Sequence, residues 1–504
     1  MHWLMIYLKK LPNRQEKFNA KEEGSITVFL ALTLILVLSF VFSMAESARV
    51  NGLQELAERK LFVQMQSAFG AYNQELWEHY GLLFLDMSYG SGELGTRLLE
   101  SHMMEEDYAQ GDEAHFYQMA LKDIEAEAYS IATDGGGAAF KQQACEAAKE
   151  RFAVEGMELL EEQVEIWQAL ETQNGNLEQK WQEALEAEEE AESYKESQNE
   201  TAEKLPTEPL STKPLPENPI SYVTQLKSSS LLALVLEEPS ELSGKGIDTA
   251  SSLDKRELFC GNMTVEEGDS VDKMWFVQYL NQYFQCRTDI QDSSHALDYE
   301  LEYCIGGKET DVQNLEAVVE KLLLIREGAN FTAIMQDAEK TSMAMEIAAA
   351  AVGFTGIMPL IKAVQIGILL AWSYVESIVD VRCLLAGGKV PLMKDSSGWK
   401  SDLFHIEEIP QDSGTKDSGL SYREYLQILL YTAGEGKLTS RAMDVVERNI
   451  RLFSGNESMR MDAMVSTVRV NAVYCASPLF FNLVPMTQKI DGSYCFCVTQ
   501  KFAY

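Results

Sequence analysis

Apolar and polar positions are distributed very unevenly along this chain, and the sharpest change lies near its start. From Gly24 to Ala45 the sequence GSITVFLALTLILVLSFVFSMA runs 22 residues without a charge. At 1.5 Å per residue such a run makes about 33 Å of helix, enough for the ~30 Å hydrocarbon core of a bilayer. The pattern predicts a transmembrane helix over residues 25–45, with the lipid bilayer as its partner. Beyond it the apolar residues thin to a stripe. Phe62, Met65, Phe69, Tyr72 and Leu76 recur at steps of three and four, the repeat of one helical face. No proline falls between residues 25 and 79. Two arrangements fit: one helix of roughly 80 Å that leaves the bilayer and lies on an outer body, or an anchor followed by a separate packing helix.

Further along, Leu121 to Ile131 alternate apolar and polar residues, the period of a half-buried strand, and Asp134 with Gly135-Gly136-Gly137 leads into a helix. The glycines lack the spacing and the Lys-Ser/Thr of a phosphate-binding loop and read as a flexible turn. Ala153, Met157, Leu160, Val164 and Trp167, then Leu177, Trp181 and Ala184 after Asn174-Gly175, predict two helices closed into an antiparallel hairpin. The hairpin is either an ordinary packed pair or an arm projecting for contacts. Its second helix ends in Glu186, Glu188, Glu189, Glu190, Glu192 and Glu196, a solvated face without the loop geometry of a calcium site. Pro206, Pro209, Pro214, Pro216 and Pro219 then fall within fourteen residues and mark an extended linker.

In the C-terminal part, Val271 to Phe284 reads as an amphipathic helix with its aromatic residues inward. Residues 296–305 alternate like a strand, and Asp311 caps a helix running through Leu322 to Ile325. Met343 to Leu385 is the second most apolar stretch of the chain. Lys362, Glu376, Asp380 and Arg382 interrupt it and Gly353, Gly356 and Pro359 break it, so two buried helices are expected there and not a second span. Val465–Tyr474 and Tyr494–Tyr504 alternate and are rich in aromatic residues, as adjacent antiparallel strands are. The fold class expected is α+β, a long N-terminal transmembrane helix continuing into a mainly helical extracytoplasmic region with antiparallel β-sheet. The units expected are a basic leader at 1–24, the spanning helix at 25–45, a helical stalk with strand and hairpin at 46–204, the linker at 205–219 and an α+β domain at 220–504.

Charge gives the anchor a direction. Lys9, Lys10, Arg14, Lys17 and Lys21 face only Glu16, Glu22 and Glu23 ahead of the apolar run, whereas the whole chain carries a formal net charge of −36. Positive flanks stay inside, so the N-terminus is expected in the cytoplasm and the bulk outside the cell membrane. The acidic balance argues against nucleic acid, whose phosphates need Lys and Arg, and against a body lying flat on anionic lipid. The leader has three possible fates. It is retained; or it is cleaved after Ala45, where Ser43 and Ala45 make a small-x-small pattern, although the apolar core exceeds that of a signal peptide; or it is cleaved after Gly24. Lys21-Glu22-Glu23-Gly24-Ser25 resembles a type IV prepilin processing site, with Phe29 where pilins usually carry Glu.

Candidate chemistry is sparse. Glu376 and Asp380 stand i, i+4 and share a helical face, a spacing that paired catalytic carboxylates or a metal site would use. No His or Cys is spaced to complete such a site, and the face is expected to reach solvent or a structural arginine such as Arg326 or Arg441. The six histidines are not spaced as ligand pairs, and nucleophile elbows, kinase signatures, zincin helices and dinucleotide loops are absent. No catalytic, cofactor-binding or metal residue is assigned. Only a hydrolase whose carboxylates are assembled by folding stays open. Of the eight cysteines, a disulfide is expected, if anywhere, among Cys260, Cys286 and Cys304, the rest being small core residues.

Glu46-Ser47-Ala48-Arg49-Val50-Asn51-Gly52 after the anchor, then Tyr80-Gly81-Leu82-Leu83-Phe84-Leu85-Asp86, resembles an uncharacterised domain-of-unknown-function family of Gram-positive anaerobes. Its members look like oversized relatives of the TadE and TadG pseudopilins of tight-adherence pilus systems. The likeness extends to Leu297–Tyr303 with Gly306-Gly307-Lys308, to Glu376, Asp380, Val381, Arg382 and Leu384 ahead of Trp399, to Tyr422–Leu426 and to Arg441–Asp444, most of the chain. The resemblance brings no chemistry with it, since the family has no established activity; it implies a cell-surface or pilus-associated component, with other pilin-like or Tad assembly proteins as partners, and a non-enzymatic role is the expectation. Against it stands a membrane-tethered binding or adhesive module that uses the helix only as a tether.

Overall fold

The structure, a computed structural model, describes residues 14–109, 116–151, 155–174, 176–199, 218–236, 242–264, 272–394, 398–410, 418–480, 489–490 and 492–504. Its longest element is α1 (Arg14–Phe69), 56 residues without a break, or about 84 Å. The two ends of this helix have opposite surroundings. From Ile26 to Phe42 most side chains are exposed, whereas Val50, Leu53, Ala57, Leu61, Met65, Ala68 and Phe69 are buried at the three- and four-residue steps of one face. A single continuous helix is therefore the arrangement found. The expected stripe was partly out of phase: Phe62 is 43% exposed while Leu61 takes the inward place. Tyr72 lies in the turn beyond the helix, and Leu76 sits on the short helix Gln74–Tyr80.

The buried face of α1 rests on an antiparallel sheet of β1 (Leu85–Asp86), β2 (Ala120–Ile131), β3 (Met464–Ala476), β4 (Lys489–Ile490) and β5 (Ser493–Ala503). β3 is its spine. It pairs with β2 from Ala120↔Cys475 to Ile131↔Val465, with β5 from Thr467↔Ala503 to Ala476↔Tyr494, and with β1 at Leu85↔Val465. The core between helix and sheet is thus built from both ends of the chain, with Leu121, Ile124 and Ile131 meeting Val465, Val468, Tyr474 and Phe496. The expected pairing of the two C-terminal strands is present. Cys475 and Cys495, opposite each other on β3 and β5, form a disulfide. This corrects the expected pairing: Cys260, Cys286 and Cys304 are free, the last two buried. Cross-strand register, which spacing along the chain does not reveal, selected the pair.

The chain between these ends makes a second, larger core. Gly135, Gly136 and Gly137 follow β2 with φ of 58°, 67° and 85°, left-handed values that L side chains rarely adopt. At Gly137 a Cβ would also meet Thr439 Cγ2 at 2.5 Å. The turn starts α2 (Asp134–Arg151), and α3 (Glu155–Asn174) with α4 (Leu177–Asn199) forms the helical hairpin. That hairpin is docked and not a free arm, because Val164, Trp167, Leu177, Trp181 and Ala184 are buried in the core. The linker prolines up to Pro216 lie outside the described residues, and Pro219 opens the helix Pro219–Lys227 beneath an Asn218 cap.

α5 (Asp272–Tyr283) is the expected amphipathic helix, with Phe276 and Tyr279 fully buried. Residues 296–305 differ from expectation: the strand-like alternation belongs to α6 (Glu300–Gly306). Alternation signals a strand only when the polar positions face water, and here Glu300 and Glu302 are as buried as Leu301. α7 (Asp311–Gln336) starts at the expected place, but its cap is Thr310, whose Oγ1 accepts from the Gln313 N–H. α8 (Ala338–Val352) and α9 (Met358–Leu385) are the expected pair of helices. α9 and the Ile26–Phe69 stretch are both long and apolar enough to cross a membrane, yet 67% of the apolar window of α9 is buried in the body, against 6% for α1. α10 (Tyr422–Thr432) and α11 (Glu435–Ile450) complete this core.

Candidate functional site

Glu376 and Asp380 do share one face of α9, and that face meets two cations. Asp380 Oδ2 accepts from Arg326 Nε at 3.1 Å and Nη2 at 2.9 Å, and its Oδ1 accepts from Lys394 Nζ at 2.6 Å. Lys394 also bonds Glu376. The four side chains are at most 4% exposed. Two positive and two negative charges therefore neutralise one another in the interior, which is the condition for burying any of them. Burial pushes the Asp380 carboxyl up, but Arg326 and Lys394 outweigh it and hold the group below the usual carboxylate range.

The remaining hydrogen-bonding capacity is also used. Arg326 Nη1 donates to the carbonyls of Pro391 and Leu392 at 2.9 and 2.7 Å and to Tyr425 Oη at 3.2 Å. Asn330 Nδ2 donates to Asp380 Oδ2 at 3.0 Å. Glu376 Oε2 accepts from the Ser401 N–H at 2.9 Å and from its hydroxyl at 2.7 Å. Of the two arginines expected to meet this face, Arg326 does so, while Arg441 donates to the carbonyls of Cys304 and Ile305. Lys394 was missed because it lies in a segment without periodicity, where nothing in the sequence marks it as buried. The cluster ties α7, α9 and α10 to residues 391–394 and to Ser401. Its carboxylates are committed to cations, so the chemistry of this arrangement is cohesion and not proton transfer.

Two further carboxylates are buried with only neutral donors. Burial pushes Glu302 up to about 7, although the Arg287 N–H at 3.0 Å and the Tyr422 hydroxyl at 2.9 Å favour its charged form. Burial likewise pushes Asp444 up to about 6, against the Leu253 N–H at 2.9 Å. Neither group is joined, among the described residues, by a nucleophile and base in hydrogen-bond sequence. Among the described residues no group of three or more His, Cys, Asp or Glu is placed to hold a metal ion.

The third site lies where α1 changes surroundings. Glu46 and Arg49 are both buried and pair at 3.0 Å. Arg49 Nε donates to the Phe116 carbonyl at 2.6 Å, while Glu46 accepts from the backbone N–H groups of Leu479 at 3.3 Å and Phe480 at 3.2 Å. Phe480 stacks on Phe42 with centroids 5.5 Å apart. One i, i+3 ion pair thus clamps the segment before β2 and the segment after β3 onto the helix. Both residues belong to the Glu46–Gly52 stretch that carries part of the family resemblance, but their burial and partners have no sequence signal, since a charged pair just past an apolar run ordinarily faces water.

A model described as a family of unknown function (DUF5702) matches residues 210–476, which takes in the ion cluster and β3 but not α1. The match carries no link to TadE or TadG pseudopilins or to a group of organisms. No curated protein and no solved structure matches the chain.

Proposed function

The chain belongs to the DUF5702 family of unknown function, and we propose that it is a single-pass, membrane-anchored structural protein of the cell surface, a pseudopilin-like component of a Tad-like pilus or secretion assembly. The observation that carries this reading is the continuity of α1: one helix is exposed and apolar at one end and forms a wall of the body's core at the other. A tether needs only a flexible join. An unbroken helix instead transmits the orientation of its membrane half to the body, as an assembly built from laterally packed helices requires. The long helix lying on an antiparallel sheet is a pilin-like arrangement.

Two features support an outward-facing body. The leader is basic ahead of the apolar run, and the Cys475–Cys495 disulfide suits an oxidising compartment. Lateral contacts need small residues for close approach. Of Ser39, Ser43, Ala45 and Ala48, Ser43 is covered by the chain's own body, which leaves Ser39, Ala45 and Ala48 as the places of approach. The neutralised Glu376–Asp380 face speaks for a non-enzymatic role.

Exchanging residues 25–45 for an unrelated spanning helix of equal length tests the proposal. A pseudopilin loses co-purification with its pilin-like partners while remaining inserted. Full retention of partners and surface function after the exchange refutes it and favours the tethered adhesive module. Protease added to whole cells tests the orientation: a body that stays intact overturns it.

A further inference from the structure

We propose that the body is seated on the same membrane that holds α1, through an apolar collar formed by Phe42, Phe116, Leu479 and Phe480 at the level of the lipid headgroups. The inference rests on the reading of α1 as a spanning helix. Phe116 is 46% and Leu479 54% exposed, and Phe480 joins them by stacking on Phe42 and lying 6.3 Å from Phe116. These side chains come from two distant parts of the chain, yet they converge on one short length of α1.

Their depth follows from their attachment. Leu479 and Phe480 hang by their backbone from Glu46, the first residue after the apolar run. Phe116 hangs from Arg49, about 4.5 Å further along the helix. A bilayer has roughly 5–7 Å of interfacial zone on each side of its ~30 Å core. With residues 24–45 filling the core, the collar runs from the outer edge of that core, at Phe42, into the interface, the depth at which Phe and Leu of membrane-surface segments bury their apolar faces. The buried Glu46–Arg49 pair gives the collar a fixed base: both segments are bonded to one rigid helix and cannot leave it independently. Continuity with the apolar half of α1 selects lipid as the occupant over another protein surface, and the acidic chain selects neutral lipid over anionic.

The test uses the full chain in phosphatidylcholine vesicles, with an environment-sensitive fluorophore on Leu479→Cys and the exposed Cys260 and Cys497 replaced by Ser. The control carries the label on Cys260. Asn262 bonds the Tyr129 N–H, nine strand residues beyond Ala120, so Cys260 lies about 30 Å up the sheet from the collar. A lipid carrying a quencher near its headgroup is expected to quench the 479 label at least threefold more than the control, and iodide to quench it less. A 479 label as open to iodide as the control overturns the proposal. So does one shielded from iodide but untouched by the lipid quencher, which would mean that protein covers the collar. A second label at Leu34→Cys, at the middle of the apolar run and read with a lipid that carries its quencher deep on the acyl chain, separates the two readings. If it is quenched by lipid while the 479 label is not, only the collar fails; if it is not quenched, the anchor fails and the collar with it.

Discussion

Replacing Lys394 by Met removes one of the two cations that face Glu376 and Asp380 while keeping most of the side-chain volume. Arg326 still neutralises Asp380 at 2.9 Å, so the charge left over belongs to Glu376, which is fully buried. Breaking a buried pair on one side costs about 3–5 kcal/mol because the remaining charge is desolvated without compensation. Glu376 retains the Ser401 N–H and hydroxyl, which places the expected loss near the lower end, about 3 kcal/mol. At roughly 1 °C per kcal/mol for a chain of this size, the melting temperature should fall by about 3 °C. Tryptophan fluorescence of the detergent-solubilised chain is a suitable readout, because the Trp372 indole donates to Ser401 and lies 5.4 Å from the Trp399 ring. The double variant Lys394→Met with Glu376→Gln restores neutrality and should recover part of the loss, a coupling of about 1–3 kcal/mol. A single variant that melts within 1 °C of the parent, or a double variant whose loss is the sum of the two singles, would show that the cluster is not cohesive.

Three other outcomes are expected. Glu302 titrates near 7 in the folded chain against an ordinary 4.5, so the folded state keeps a proton that the unfolded chain loses across that window. Its stabilising contribution is full below about pH 4.5 and lost as pH rises through 7; Glu302→Gln should remove that dependence, gaining up to about 3 kcal/mol on the parent between pH 5 and pH 8, and equal differences at the two pH values would contradict the assignment. Non-reducing denaturation followed by thiol counting should find six free thiols among the eight cysteines, and Cys475→Ser should cost about 3 kcal/mol through the loop it opens; eight free thiols in protein from the cell surface would refute the pairing. Gly367 lets α4 approach α9 closely, a Cβ there falling 2.5 Å from Ala184 Cβ and 2.7 Å from Ile220 Cδ1. Gly367→Val should therefore destabilise by about 1–3 kcal/mol through overpacking, with Ala184→Gly as a partial suppressor, and an unchanged melting curve would dispose of that contact.

Features that depend on local periodicity and local charge are legible in the order of the amino acids. The uncharged run at 24–45, the alternation of 121–131, 465–474 and 494–504, and the interrupted apolar stretch at 343–385 each reappear as helix or strand near the expected bounds. The i, i+4 spacing of Glu376 and Asp380 gave them one face, expected to reach solvent or an arginine such as Arg326 or Arg441, and of these Arg326 meets it. Which polar groups leave water, and which distant segments meet, is set by the packing of the folded chain. Glu300 and Glu302 mimic a strand because buried hydrogen bonds replace their solvent. Cys475 finds Cys495 through strand register, Lys394 enters the interior from an aperiodic segment, and Glu46 with Arg49 gathers residues 116 and 479–480 onto one helix. Periodicity records the average environment of a face, whereas a buried charge is stable only beside its specific counter-charge, and the fold alone brings the two together.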